Sequence, residues 1–409
     1  MQDNLGRALA VWSNGSIQSS IQTSAGVWGP VVPVSFASDL GIAPDVAFAP
    51  NGSAMAIWIR NTAGVQDLQI ATLPIGATVW SVPITIAVPT GNAIYSPQIK
   101  IDGKGRAVAV WGLYIPASAT ADTQFTELQS ASYSAATGWS APVTVSIANV
   151  SHYPVAPQLA INTAGTAVVV WNDSITPNGS RSHSLQVARR GAAGAWSKPR
   201  SLGFSGGGGV RGQKIAFDDF GHGTVVWQAA TELNSAAVFA AQSSSTGVWA
   251  LPERISAPSP LLIPEDAEVA TDKAGNVTVV WSYEITDING GYNGPGVSTR
   301  SRPVGSTSWS APRKFSGGGY SPTISASPDG SLVAVGWNDS YSAYVSTYTP
   351  ALGWAAGWKP VRKLASPFLN HYAYENTVSA GNGGVAAMAW TVTDFNRHPN
   401  TILNAATFK

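Results

Sequence analysis

The residues able to do chemistry are sparse and scattered along the chain. There is no cysteine, which excludes disulfides, thiolate metal sites and thiol nucleophiles. The five histidines, His152, His183, His222, His371 and His398, lack the short paired spacing that puts two imidazoles on one metal ion. Serine is abundant, yet no Gly-x-Ser-x-Gly elbow stands between a strand and a helix. The stretch Asp287-Ile288-Asn289-Gly290-Gly291-Tyr292-Asn293 spaces oxygen ligands somewhat like a calcium loop. It lacks the closing bidentate Glu and reads better as a Gly/Asn-rich turn. No catalytic set, metal or cofactor emerges from these patterns. Tryptophan does stand out, at 16 residues. An indole can stack on a sugar ring or fill a large gap in a core, so each Trp has a binding and a packing reading.

The positions of the tryptophans weigh toward packing. A segment of the form Gly-x-Ala-x-x-x-Trp recurs roughly every fifty residues, a spacing typical of repeat architectures. Examples run from Gly105 to Trp111, from Gly165 to Trp171 and, with Val277 for Ala, from Gly275 to Trp281. The marking residues are Trp12, Trp58, Trp111, Trp171, Trp227, Trp281, Trp337 and Trp390. A second Trp follows in each copy but the last: Trp28, Trp80, Trp139, Trp196, Trp249, Trp309 and Trp358, with Trp354 as a neighbour of Trp358. The second set lies nearer the rim of the repeat. If any tryptophans bind a ligand in grooves between repeats, these seven are the candidates.

The copy at 157–202 shows what must hold these residues. Strand a is Pro157-Gln158-Leu159-Ala160-Ile161, and a tight turn follows with Gly165 free to take positive φ. Strand b, Thr166 to Trp171, is apolar at nearly every position, as in a strand covered on both faces. Strand c holds Leu185-Gln186-Val187-Ala188. Strand d opens at Trp196-Ser197-Lys198-Pro199, and its proline, which cannot donate to a ladder, marks an edge. Four antiparallel strands ending in such an edge form a propeller blade. The fold class expected is therefore an all-β propeller of four-stranded antiparallel blades without significant helix. It is read as a single domain over 1–409, with repeats near 1–36, 37–90, 91–150, 151–205, 206–259, 260–318, 319–368 and 369–409.

Eight copies are visible, but the first lacks strand a and the last lacks strand d. This leads us to expect an N-terminally shortened form of a longer chain. A seven-bladed ring is the alternative, with Glu375 to Ala380 completing the first blade and 384–409 as a tail. Turns a–b are short and uniform, as at Asp102-Gly103-Lys104-Gly105. The b–c loops look long and irregular: Gly112 to Thr126, Asn172 to Ser184, and Ser282 to Gly296. The d–a loops include Gly206 to Gly209 and the apolar Leu261-Leu262-Ile263-Pro264. Variable loops on a rigid scaffold are where binding usually resides. His183 and His398 fall on equivalent b–c loops, and His152 and His371 precede strand a, so four of the five share one expected face.

Bulk composition narrows the function class. Charged residues are 11% of the chain and the net charge is +1. That leaves no basic footprint for nucleic acid. No apolar run is long enough for a membrane-spanning helix. A Ser/Thr/Gly/Ala-rich, weakly charged surface suits an exported bacterial protein at the cell surface or outside the cell, although no signal peptide follows Met1.

The repeat, with its Pro-x-Ile-Ala, Gly-x-Ala-x-Val-Val-Trp and Gly-x-Trp-Ser-x-Pro segments, resembles that of exported bacterial β-propellers. More loosely, it is similar to Asp-box, sialidase-like propellers and to bacterial propeller lectins. The resemblance implies an extracellular or surface binding role and carries over no functional residue. Ser327-Pro328-Asp329-Gly330 and Asp272-Lys273-Ala274-Gly275 depart from the Asp-box pattern. Arg200, Arg254, Arg313 and Arg362 sit after the proline of strand d, an edge position unsuited to gripping a substrate carboxylate at the centre. The first expectation is a non-catalytic propeller that recognises glycans or protein partners through its long-loop face or inter-blade grooves. The alternative is a glycosidase or lyase with its site at the central channel, which paired carboxylates and Arg at the channel mouth would favour.

Overall fold

A computed structural model describes the chain except residues 1–6, 24–26, 90–92, 116–124, 148–151, 176–181, 193, 206–208, 233–234, 258–261, 287–290, 340, 365–370, 395–399 and 409. It is an all-β propeller of eight antiparallel blades, with one single-turn α-helix, Gly353–Ala356, among the described residues. The chain divides into two compact units. Residues 3–209 carry blades 1 to 4, and residues 210–409 carry blades 5 to 8.

Each complete blade is a meander in the order a, b, c, d. Blade 4 comprises His152–Ile161, Ala167–Ile175, Ser182–Arg190 and Arg200–Ser205. Blade 5 comprises Val210–Phe217, Gly223–Glu232, Ser235–Gln242 and Glu253–Arg254. Blade 6 comprises Leu262–Thr271, Val277–Thr286, Tyr292–Arg302 and Arg313–Lys314. In the first blade, Ala8–Asn14, Ser16–Gln22 and Val32–Pro33 supply b, c and d. In the last, His371–Gly381, Val385–Asp394 and Asn400–Phe408 supply a, b and c. Glu375 to Ala380 pairs with the strand that carries Trp390 rather than with the first blade, so the seven-bladed alternative is wrong.

The strand-b tryptophans are packing elements. Trp58, Trp111, Trp171 and Trp337 are fully buried, and Trp227, Trp281 and Trp390 nearly so. Hydrophobic clusters among the described residues join two consecutive blades of one unit. Val108, Val110 and Leu128 of blade 3 meet Leu159, Val169 and Trp171 of blade 4, for example. The turns between a and b owe their uniformity to a buried side chain that accepts from their own backbone. Asp102 Oδ1 accepts from Lys104 N at 2.8 Å and Arg106 N at 2.9 Å, and Asp272 Oδ1 does the same for Ala274 and Asn276. This is the Asx arrangement that ties a turn to its own sequence.

Strand a departs from the expectation. It begins well before the proline, at His152 rather than Pro157 in blade 4, because the proline sits at a β-bulge and pairing resumes upstream. A residue in the left-handed region forms the bulge in six blades: Ala43 (51°), Ser96 (47°), Ala156 (50°), Gly212 (62°), Asp266 (34°) and Ser321 (46°). In four of these a proline follows, whose missing N–H costs nothing where the ladder is already interrupted. The b–c loops shrink for the same reason. Gly112–Ile115, Asn172–Ile175, Ser282–Thr286 and Tyr292–Gly296 are paired strand, and Leu262–Pro264 begins a strand rather than filling a loop.

Candidate functional site

The bulge separates two kinds of polar residue on strand a. Those after it stitch neighbouring blades together. Asp45 Oδ2 accepts from Ile99 N at 2.8 Å, and Gln98 Oε1 accepts from Leu159 N at 2.7 Å. Lys214 Nζ pairs with Glu268 Oε1 at 2.7 Å, and Thr323 Oγ1 bonds Asn376 Oδ1 at 2.8 Å. The residues immediately before the bulge are Ile42, Tyr95, Val155, Arg211, Glu265 and Tyr320. Four of these six equivalent positions carry a titratable or charged group at the end of strand a that faces the b–c hairpins.

In the second unit these positions converge on blade 6. Glu265 pairs in register with Ser282, and Glu284 stands two residues further along the same strand. Alternation therefore puts the two carboxylates on one face of the sheet as diagonal neighbours. Partial burial raises the Glu265 carboxyl above its ordinary value. The charges of Glu284 and Asp266 raise it further, and Arg211 of blade 5 opposes them. Tyr292, on strand c of blade 6, bonds its hydroxyl to that of Tyr320 from blade 7. Burial of that hydroxyl, the bond to Tyr320 and the two glutamates all hold the Tyr292 proton on. Asp266 is the left-handed bulge residue of this blade, at φ 34°. The result is a half-buried acid, a second carboxylate, a phenol pair and a cation, contributed by three blades. Tyr292 is 53% exposed, so the cluster is open to solvent on that side.

The first unit holds a second cluster, built differently. His152 Nδ1 meets Asp173 Oδ2 at 2.6 Å, with side-chain exposures of 16% and 1%. Asp173 also accepts from Tyr153 N at 3.0 Å. Burial raises the Asp173 carboxyl overall, against the pull of the imidazole. Across the blade boundary Tyr95 donates to Pro154 O at 2.6 Å, and Thr126 donates to the same carbonyl at 3.0 Å. Burial pushes the Tyr95 phenol up to about 12. Its ring lies across Gly112, where an added Cβ would come within 2.0 Å of it. These groups are mostly satisfied by one another, and the cluster is more enclosed than the one on blade 6.

The tryptophans proposed from sequence as ligand-binding stand one to a blade in blades 1 to 7. Trp80, Trp249 and Trp358 are buried, and Trp28, Trp139, Trp196 and Trp309 are half-buried. Trp80 Nε1 donates to Ser19 Oγ in the preceding blade, and Trp309 Nε1 donates to Glu253 Oε1, each at 2.9 Å. Trp28, Trp196, Trp249 and Trp358 each bridge back to the end of strand c and close the c–d turn. Arg200, Arg254, Arg313 and Arg362 lie on the short edge strands, as expected. Most of the calcium-like stretch, 287–290, lies outside the described residues, as do His398 and the side chain of His371. Of the remaining histidines, His152 and His183 stand at the b–c hairpin end of blade 4, whereas His222 stands in an a–b turn. Glu265, Glu284, Tyr292, Tyr320 and Arg211 were missed from sequence. Aligning the copies on the residue just before the bulge would have exposed three of them as polar departures from an otherwise apolar strand.

No protein-family model and no curated protein matches the sequence. Solved structures do match in fold. An ulvan lyase, a polysaccharide lyase, superposes with TM-score 0.56 at 10% identity, over 90% of this chain and 93% of its own. An ulvan lyase bound to -[GlcA(1-4)Rha3S]- gives TM-score 0.54 at 10% identity, over 88% and 92%. A prolyl endopeptidase gives 0.53 at 10% identity, over 97% of this chain but 54% of its own. At these identities the likeness concerns the fold alone.

Proposed function

We propose that this propeller is a glycan-cleaving enzyme, a glycosidase whose acid–base site is the Glu265–Glu284 cluster. The carrying observation is the pair of carboxylates on one sheet face, of which Glu265 has its proton affinity raised by burial and by its acidic neighbours. A carboxyl group that holds its proton beside a second carboxyl group is what glycoside cleavage needs. Diagonal strand neighbours are roughly 7–8 Å apart along the backbone, which leaves room for a glycosidic oxygen between their side chains. Protonated Glu265 gives its proton to the leaving oxygen as the anomeric C–O bond breaks. Glu284 takes a proton from the water that adds to the anomeric carbon. Arg211 holds a hydroxyl or carboxylate of the substrate, and the Tyr292–Tyr320 pair offers an aromatic edge at the open side. Polysaccharide lyases of similar fold support the substrate class.

A lyase reading draws on a separate observation, the His152–Asp173 pair beside Tyr95. A carboxylate-held imidazole is a ready base for a proton next to a uronate carboxyl, and a phenol can protonate the leaving oxygen. The two readings separate by product and by variant. Purified protein is incubated with neutral and uronate-containing polysaccharides, and new reducing ends and unsaturated uronyl ends are both followed. Reducing ends alone, lost in Glu265→Gln and kept in His152→Ala, support hydrolysis at blade 6. Unsaturated ends, lost in His152→Ala and kept in Glu265→Gln, move the site to blades 3 and 4.

A further inference from the structure

Away from the b–c hairpins, the a–b turns of neighbouring blades meet in clefts, and those between blades 3 and 4 and between blades 5 and 6 are filled differently. Between blades 3 and 4 the cleft is sealed by Arg106, the last residue of its a–b turn. Its guanidinium bonds Asp102 Oδ2 at 2.6 Å, Ala164 O at 3.0 Å and Ala192 O at 3.2 Å, so it crosses to both turns of the next blade. At the corresponding place between blades 5 and 6 stands His222. Its Nδ1 meets Asp218 Oδ2 at 3.0 Å, but the shorter side chain reaches no further and remains 44% exposed. A cavity of about 140 Å³ opens where the guanidinium would lie. Gly275, at φ 88°, carries the blade 6 turn up to Asp218, where an added Cβ would stand 3.2 Å from the carboxylate.

We propose that this cleft between blades 5 and 6 binds one pyranose ring of a glycan, independently of the cleavage site. A cavity of about 150 Å³ takes up benzene, and this one is open on one side, so the larger pyranose ring can seat with its substituents reaching outward. By correspondence with Ala192, the carbonyl of Val304 in the lining lacks the donor that Arg106 supplies between blades 3 and 4. A sugar hydroxyl can donate to it. Arg302 and His222 line the same cavity, Arg302 offering a complementary donor and His222 its second ring nitrogen. Arg302 is held in place by Ser306 O at 2.9 Å, by Glu253 and by the face of Trp309, and its Nη2 has no protein partner among the described residues. Val277, Pro303 and Val304 supply an apolar wall for the C–H face of a ring. A peptide arginine would also satisfy the carbonyl, but Arg302 in the lining opposes a second guanidinium. The hydroxyl-rich ring is the better complement because it both donates and accepts.

The test uses saturation-transfer NMR on the full chain with neutral methyl pyranosides of the gluco, galacto, manno and rhamno series, and with N-acetylarginine methylamide. Wild type is expected to bind at least one pyranoside. His222→Arg, which plugs the cleft as Arg106 does, is expected to weaken that binding by about tenfold or more and to leave glycan cleavage unchanged. Glu265→Gln is expected to bind as wild type, which separates this site from the proposed cleavage site. If His222→Arg fails to fold, Ser306→Leu fills the cleft from an exposed turn and carries the same expectation. Absence of binding to every pyranoside, undiminished binding in the plugged variants, or binding of the arginine probe alone would each overturn the proposal.

Discussion

Gly112→Ala is a small substitution whose effect should reverse with its neighbour. In the native chain the new Cβ would stand 2.0 to 2.5 Å from three atoms of the Tyr95 ring. No rotamer change at alanine can relieve that, so Tyr95 must swing out. Its hydrogen bond to Pro154 O is then lost, a net loss of about 0.5–1.5 kcal/mol. Displacing a packed ring adds about 1–3 kcal/mol. The sum is a destabilisation of about 1.5–4.5 kcal/mol. In a Tyr95→Ala background the clash is gone. Gly112 has no positive φ, so alanine there should stabilise by about 0.4–1 kcal/mol through the unfolded chain. Urea denaturation of the four proteins of this double-mutant cycle measures both values. Equal destabilisation by Gly112→Ala in the two backgrounds would show that Gly112 does not exist to seat Tyr95, and would refute the reading of that cluster.

Three further outcomes follow from the same structure. Trp171→Ala removes a fully buried indole and should cost about 3–5 kcal/mol, whereas half-buried Trp196→Ala should cost clearly less in the same denaturation assay. Arg106→Met strips a buried carboxylate and two carbonyls of a donor and should cost about 1–3 kcal/mol, read as a lowered unfolding midpoint. Glu265 has its folded-state proton affinity raised. Its stabilising contribution is thus present below the ordinary carboxylate range and is lost as pH rises through the raised value. Glu265→Gln should accordingly gain thermal stability over wild type as pH is taken from acidic to neutral. A constant gap in Tm across that range would contradict the shift.

Much of the fold was legible because it repeats. A Gly that frees an a–b turn, a strand apolar on both faces and a Pro on an edge strand are each ambiguous alone. Eight registered copies made them a blade pattern, and the order a, b, c, d holds in the structure. The bulge was not legible. A residue such as Ala156 before Pro157 signals a strand boundary by local rules, and only pairing with Asn172 and Val170 on either side shows that the strand continues. Missing the bulge hid the candidate site, since Tyr95, Arg211, Glu265 and Tyr320 all fell in what read as loop. The surroundings of the tryptophan candidates were not legible for a related reason. Sequence marks a residue's place along its strand but not what the next blade lays over it, and Trp80 and Trp309 spend their indole N–H groups on the preceding blade. His222 looked like any loop histidine until Arg106, its counterpart two blades earlier, showed how much space it leaves.

The most direct test of the account is the turnover of a responsive polysaccharide by wild type, Glu265→Gln and His222→Arg, prepared and assayed side by side. Wild type and His222→Arg should release reducing ends at the same rate. Glu265→Gln should be slower by about 10²–10⁴-fold, the usual worth of a positioned acid, with its fold intact by circular dichroism. Cleavage by Glu265→Gln at the wild-type rate, or no cleavage by wild type across neutral and uronate-containing polysaccharides, would contradict it.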